Sequence, residues 1–150
     1  MDTFDRQLLK ILQNNSRITT EELGGQVGLS ATACQRRIKK LRQDGVIRKE
    51  VAVLDGISLG GYVTVVVEVI LTRGGALVID EFKAKMLTCE AVQQCYYVTG
   101  NADFILIITA ENMLAYEQIT RQLFFGNINV QKFHSTVVME NVKVGLGIPL

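Results

Sequence analysis

The stretch VGLSATACQRRIKKL, residues 27–41, decides the fold of the N-terminal part of the chain. It begins with a tight, glycine-containing turn. Ser30 follows the turn and is suited to cap a helix, because its hydroxyl accepts a hydrogen bond from a backbone amide. Cys34, Ile38 and Leu41 then recur at helical spacing and form one apolar face. The pattern predicts a helix from residue 31 to residue 43.

Two shorter helices are predicted before this turn. Apolar residues fall at helical spacing over 4–12 and again over 20–27. Each run follows residues that can cap a helix: Asp2 or Thr3 for the first, and Thr19 or Thr20 for the second. The pair Gly24-Gly25 weakens the second helix by up to roughly 2 kcal/mol relative to two alanines. Two helices joined by a short turn are the layout of a helix-turn-helix motif.

The charge of the chain is unevenly distributed. Residues 1–50 carry ten Lys and Arg against six Asp and Glu, a net charge of +4, whereas residues 51–150 carry six against nine, a net charge of −3. The sum is the overall charge of +1. A basic N-terminal part on an otherwise acidic chain indicates a polyanionic partner for that part alone.

The polar faces of the predicted third helix carry the residue types of a DNA-recognition helix. Such a helix needs short polar side chains near its N-terminus, where it enters the major groove, and Arg or Lys beyond them for phosphates. We expect base contacts from Ser30, Thr32, Gln35 and Arg36, and phosphate contacts from Arg37, Lys39, Lys40, Arg48 and Lys49. About six phosphate contacts per subunit would give a log–log salt slope of roughly −5. The alternative is a structural helical hairpin with a solvated basic face.

Beyond residue 61 the pattern changes from helical to strand-like. β-Branched residues dominate 62–71, and the apolar run 104–110 suits a central strand. The predicted elements are a strand over 62–71, a turn over 72–75, a helix over 76–87, a strand over 92–99, a hairpin turn over 100–103, a strand over 104–110, a helix over 113–125 capped by Asn112, and a strand over 130–144. The order βαββαβ describes a ferredoxin-like sandwich of two helices on an antiparallel sheet.

The second face of such a sheet requires a cover. Strands this apolar would otherwise expose a large hydrophobic patch, and pairing of two sheets across a two-fold axis removes it. A homodimer also suits the N-terminal part, because a palindromic operator offers two half-sites to two recognition helices.

Four fragments, in this order and spacing, resemble the Lrp/AsnC (feast/famine) transcriptional regulators. They are Asp5-Arg6 with Leu8-Leu9-x-Ile11-Leu12-Gln13, the stretch 27–41 with Gly45-Val46-Ile47, Tyr97-Val98-Thr99-Gly100-x-x-Asp103-Phe104-x-Leu106, and Thr136-Val137-Val138-Met139-Glu140-x-Val142-Lys143. The resemblance implies an α+β chain: a winged helix-turn-helix DNA-binding domain over 1–50, a connecting strand or hinge over 51–61, and a ferredoxin-like domain for effector sensing and oligomerisation over 62–150. It further implies dimers that assemble to higher oligomers such as octamers.

The resemblance also implies an effector, a free amino acid, bound between dimers near the glycine loop that joins the second and third strands. The residues expected there are Tyr97, Thr99, Gly100, Asn101, Ala102, Asp103, Ser135, Thr136 and Val138. Gly100 lets a backbone approach a ligand closely, and exposed amides at a turn can hold a carboxylate. Asp103 could pair with an α-ammonium group. Alternatively the loop is a plain hairpin, in which Asp103 hydrogen-bonds its own backbone.

Other functions have little support in the sequence. His134 is the only histidine and the three cysteines lack metal-site spacing, so we expect no enzyme, metal or other cofactor. The start of the chain lacks a signal-peptide pattern, and no apolar run reaches a membrane span; we therefore expect a cytoplasmic protein without a membrane partner. Three alternatives stay open: an effector-independent architectural DNA-binding protein, a structural oligomer whose N-terminal helices bind protein, and a small enzyme that uses Asp103 or His134.

Overall fold

The computed structural model describes residues 1–72 and 75–150, so Arg73 and Gly74 of the predicted turn lie outside the described residues. The chain forms two compact units. The first comprises Met1–Val53 together with Lys143–Leu150, and the second comprises Leu54–Val142. The assignment of the last eight residues to the first unit differs from the prediction, which placed all of 62–150 in one domain.

The first unit contains the three predicted helices, α1 (Thr3–Leu12), α2 (Thr20–Val27) and α3 (Ala31–Gln43). Each helix begins directly after a residue that caps its N-terminus. The caps are Asp2 with Asp5, Thr19 with Glu22, and Ser30, whose hydroxyl accepts from the Ala33 N–H. Leu8, Leu23, Val27, Cys34 and Ile38 meet in a small core between the helices, which confirms the inward face of the predicted recognition helix.

Gly24 lets α2 lie against the turn that leads into α3. A Cβ at Gly24 would lie 2.4 Å from the carbonyl oxygen of Leu29, a distance that no side chain could occupy. The Gly24 carbonyl in turn accepts from the N–H groups of Gly28 and Leu29, at 2.9 and 3.0 Å. Gly25 differs, because a Cβ there would meet nothing within 4 Å. Of the two glycines, only Gly24 is required by packing.

The predicted wing and connecting strand are not formed. Residues 44–62 are all described, and they contain turns but no strand. Ile47 donates its N–H to the Leu41 oxygen, and the Asp55 carboxylate accepts from the N–H groups of Ile57 and Ser58 to form a tight turn. A strand needs a hydrogen-bonded neighbour, and no backbone hydrogen bond joins 51–55 to another described segment of this chain. The family resemblance implied a strand or a hinge over 51–61; the structure has no strand there, and the hinge stays a prediction.

The second unit has the predicted βαββαβ order. Its elements are β1 (Val63–Leu71), α4 (Gly75–Leu87), β2 (Val92–Tyr97), β3 (Phe104–Ala110), α5 (Met113–Leu123) and β4 (Val130–Val137). The strands form one antiparallel sheet in the order β2-β3-β1-β4. β4 is shorter than the predicted 130–144, because its partner β1 begins at Val63 and the last bond joins the Val138 N–H to the Thr64 oxygen.

One face of this sheet packs on the two helices. Val65, Val67 and Val69 of β1 and Phe104 and Leu106 of β3 are fully buried there. Phe82 of α4 stacks on Phe104 with ring centroids 4.7 Å apart. The opposite face carries Val66, Ile70, Ile105 and Ile107, which are only partly buried, and no described element of this unit covers it.

No described helix combines the length and the apolar character that crossing a membrane would require.

The two adjacent glycines of α2 should respond in opposite directions to the same substitution. Gly24→Ala should destabilise the N-terminal unit by about 1–3 kcal/mol, because the new methyl group overlaps the Leu29 carbonyl. Gly25→Ala should stabilise it by about 0.5–1 kcal/mol, because it removes a flexible residue from a helix interior with room for a methyl group. Urea unfolding followed by circular dichroism measures both. Equal effects of the two changes would contradict the packing role of Gly24.

Candidate functional site

The face of α3 directed away from the helical core is polar and basic. Thr32, Arg36 and Lys39 lie opposite Cys34 and Ile38, and all three are exposed. Gln35 and Lys40 flank them and are also exposed, as are Ser30, Arg48 and Lys49. Eight of the nine predicted DNA-contacting residues are therefore accessible to a partner.

Arg37 is the exception, and the structure assigns it a different role. Its guanidinium donates to the carboxylates of Asp2 and Asp5, each at 2.8 Å, and lies 5.6 Å from the centroid of the Phe4 ring. These contacts tie the beginning of α1 to the middle of α3. We therefore remove Arg37 from the expected phosphate contacts, because its donors are already directed at two carboxylates within the same unit.

The spacing of Arg37 could have indicated this role. Arg37 lies three residues after Cys34 and four before Leu41, so it borders the buried face of the helix rather than the exposed one. The acidic residues at the start of α1 are its natural partners. Another basic residue, Arg42, pairs with Glu50 at 3.0 Å on the surface, where such a pair contributes little to stability.

The loop between β2 and β3 is held by one hydrogen bond across its ends and one to β1. The Val98 N–H donates to the Asp103 oxygen, and the Asp103 N–H donates to the Val69 oxygen, both at 2.9 Å. Gly100 at the tip has a φ of +130°, a conformation that glycine adopts readily and other residues rarely do. Thr99, Gly100 and Asn101 are exposed, and Ala102 is half-buried.

Asp103 has a structural partner. Its Oδ2 accepts a hydrogen bond of 2.7 Å from the Leu71 N–H, at the point where the pairing of β1 with β4 is irregular. The carboxylate thus satisfies a backbone donor on a neighbouring strand, not its own backbone as the hairpin alternative supposed. Pairing with an effector ammonium group would have to coexist with this bond.

The other predicted effector residues do not all share one surface. The Ser135 hydroxyl lies 2.6 Å from the Tyr116 hydroxyl on the helix-covered face, and burial there raises the pKa of the Tyr116 phenol. Thr136 is the next residue along β4 and therefore points to the opposite face. Tyr97 stacks on Phe104, with ring centroids 5.1 Å apart.

The strand order separates these residues further. β2 and β4 are opposite edges of the sheet, with β3 and β1 between them. At about 4.8 Å per strand, Tyr97 is about 14 Å from the line of β4. Val138, half-buried, lies just beyond the end of β4. The nine predicted effector residues therefore do not meet within one chain.

A shallow groove of about 380 Å³ lies between α4 and the end of α5, with Glu81, Lys85, Phe125 and Asn129 in its wall. Its charged side chains already have partners: the Lys85 ammonium donates to the Gln122 and Leu123 oxygens, and the Asn129 amide donates to Glu81. None of the predicted effector residues lines it.

A helix-turn-helix unit with an exposed basic third helix, joined to a ferredoxin-like unit, defines a helix-turn-helix transcriptional regulator. Comparison with protein families agrees with this class. Residues 1–42 match the AsnC-type helix-turn-helix domain, and residues 64–147 match the Lrp/AsnC ligand binding domain. The chain belongs to the Lrp/AsnC family of transcriptional regulators.

Similar sequences are found in several bacteria. The chain is 45% identical, over its whole length and 89% of the relative, to an uncharacterized HTH-type transcriptional regulator of Sinorhizobium fredii. It is 34% identical to the leucine-responsive regulatory protein of Escherichia coli, over 95% of this chain and 87% of that protein. These relatives are named as regulators and not as enzymes, which agrees with the expectation from the sequence.

Solved structures show the same fold over nearly the whole chain. An AsnC family transcriptional regulator from Agrobacterium tumefaciens has a TM-score of 0.91 at 32% identity and covers 99% of this chain and 97% of its own. A transcriptional regulator of Neisseria meningitidis, solved as a complex with L-Met, has a TM-score of 0.90 at 27% identity. The match covers 99% of this chain and 96% of that chain.

The contacts of Arg37 predict a pH-dependent stability. Hydrogen bonds from the Asp5 backbone and from Arg37 hold the pKa of Asp2 below its ordinary value of 3.8. A carboxyl whose pKa is lowered by folding stabilises the fold above its unfolded pKa, and this contribution is lost as the pH falls through the folded value. Arg37→Ala should therefore lower the thermal unfolding midpoint at pH 7, and the difference from wild type should shrink below about pH 4.

The exposed neighbour Arg36 provides the control, because Arg36→Ala changes the same residue type on the same helix. This variant should unfold at the wild-type midpoint across the pH range. A pH-independent effect of Arg37→Ala would show that its carboxylate pairs do not stabilise the unit.

Proposed function

We propose that this chain is a sequence-specific DNA-binding transcriptional regulator, and that a small effector, an amino acid, modulates its DNA binding or its assembly. The observation that carries the first part is the exposed face of α3. It combines the short polar residues Thr32 and Gln35 with Arg36, Lys39 and Lys40 on a helix capped at its N-terminus by Ser30. Polar groups of this kind read base edges, and Lys or Arg beyond them neutralise phosphates.

The match of residues 64–147 to a ligand binding domain supports the second part of the proposal. The relative from Neisseria meningitidis was solved with L-Met, so at least one protein of this fold holds a free amino acid. The loop Thr99–Asp103 is the candidate site in this chain, because its tip is exposed and Gly100 leaves its backbone open to a ligand carboxylate. The candidate residues Thr136 and Val138, on the distant edge of the sheet, would then come from a second protomer.

The uncovered face of the sheet supports a homodimer. Val66 and Ile107 pair across the two central strands, and Ile70 and Ile105 lie on the same face, which also carries the exposed Glu68 between Val66 and Ile70. Packing of two such faces would remove these apolar side chains from water and place two recognition helices in one particle. Assembly of dimers to octamers stays a prediction from the family resemblance.

The division of labour along α3 can be tested with two pairs of variants. Gln35→Ala and Arg36→Ala should relax sequence preference and cost about 1–3 kcal/mol each on a preferred duplex. Lys39→Ala and Lys40→Ala should weaken binding to all duplexes about equally and flatten the log–log salt slope by about 1 each. Fluorescence anisotropy with a selected duplex and a scrambled one measures both effects. Identical behaviour of the two pairs would contradict the assignment of base and phosphate contacts.

The effector site can be tested by a thermal-shift screen of the wild-type protein against the twenty amino acids. A ligand that binds only the folded state adds about 2.7 kcal/mol of stability at 100 times its Kd. The shift should be lost in Gly100→Val, because a branched side chain disfavours the φ of +130° and blocks the loop. DNA binding without effector should be unchanged.

Gly126→Val is the matched control for this screen. Gly126 also has a positive φ, +76°, and open space around it, but it follows α5 and is not part of the loop. This variant should keep the ligand shift, although it also places a branched side chain at a positive φ. An unchanged shift in Gly100→Val would remove the loop from the site. No shift with any amino acid in the wild type would favour the effector-independent architectural alternative.

A further inference from the structure

The last eight residues of the chain return to the N-terminal unit. Lys143–Leu150 follow the final strand of the second unit, yet they form one compact unit with Met1–Val53. Their sequence, KVGLGIPL, alternates apolar residues with small ones and Pro149, which favours an extended conformation. The helix-turn-helix unit is therefore joined to the second unit at two points of the chain, between residues 53 and 54 and between residues 142 and 143.

Gln13, immediately after α1, holds this tail. Its side-chain Nε2 donates to the Ile148 oxygen at 3.0 Å, and its Oε1 accepts from the Ile148 N–H. The primary amide has the same donor and acceptor as a peptide group, so it pairs with the backbone as a neighbouring strand would. The tail backbone runs close to this amide, since a Cβ at Gly147 would lie 3.6 Å from Gln13 Oε1.

Burial of apolar side chains contributes little to this docking. Val144, Leu146 and Ile148 are 75%, 79% and 67% exposed, and Leu150, at 38%, is the most covered of the four. The tail is thus held mainly by hydrogen bonds at the surface, where water competes with them. Such a contact opens and closes easily, in contrast to the buried core of the helices.

We propose that Gln13 and the tail 143–150 form a latch that restrains the DNA-binding unit. A helix-turn-helix unit held by one linker samples more orientations than a unit held by two. Once one unit of a dimer has bound its half-site, the other unit therefore meets the second half-site at a lower effective concentration. Closing the latch therefore strengthens binding of a dimer to paired half-sites and leaves binding to a single half-site unchanged. This effect on affinity rests on the proposed function.

The latch follows β4 closely along the chain. The last bond of β4 with β1 is made by the Val138 N–H to the Thr64 oxygen, and the tail begins five residues later at Lys143.

The first test measures the latch in the full-length protein. Heteronuclear ¹⁵N NOE values of Gly145, Gly147 and Ile148 should report an ordered tail in the wild type and a mobile tail in Gln13→Ala. Gln7→Ala, which changes an exposed glutamine within α1, is the matched control and should leave the tail ordered. A tail that is mobile in the wild type, or equally ordered in Gln13→Ala, would overturn the proposal.

The second test measures DNA affinity of Gln13→Ala and of a chain ending at Val142. The probes are a duplex selected from a random library by the wild-type protein and a duplex containing half of it. Both variants should bind the full duplex at least about fivefold more weakly and the half duplex as the wild type does. Equal losses on both duplexes, or no loss, would overturn the effect on affinity. Failure of the wild type to bind any duplex would contradict the proposed function, whereas the NOE values decide the latch independently.

Discussion

The close approach of Gly24 to the Leu29 carbonyl is the constraint on which the DNA-binding unit depends. The backbone of α2 can lie against the turn only because residue 24 has no side chain, and this contact fixes where α3 begins. Arg37 then ties the middle of α3 to the start of α1 through two carboxylates. The exposed face of α3 is thus presented by a rigid frame, as recognition of base edges requires.

Local signals made much of this fold predictable. The helix starts at residues 3, 20 and 31 follow from caps that lie next to them in sequence, and the βαββαβ order follows from the change in periodicity. The ends of β4 and the missing strand at 51–61 were not predictable in the same way, because a strand's length depends on a partner that is distant in sequence. The sequence indicates Gly24 only as a weak point of α2, because periodicity does not show that the helix approaches the Leu29 carbonyl across the turn.

The candidate site was predicted less completely than the fold. Exposure of the basic α3 residues follows from helical periodicity, but the pairing of Arg37 needed the position of α1. Ser135 and Thr136 are consecutive residues of a strand, so their opposite directions could have been inferred from the sequence. The strand order could not have been inferred from the sequence. It places Tyr97 and β4 on opposite edges of the sheet. One chain therefore carries all residues of the proposed DNA-binding face together, but the residues of the proposed effector site only in part.

The measurement that tests the central claim most directly is the affinity of the wild-type protein for duplex DNA across a series of salt concentrations. With Lys39, Lys40, Arg48 and Lys49 exposed and Arg37 engaged within the fold, the account predicts about four phosphate contacts and a log–log slope of roughly −4 per subunit. Weak binding with a slope near zero would contradict it, because a basic face that binds DNA must release counterions when it does so.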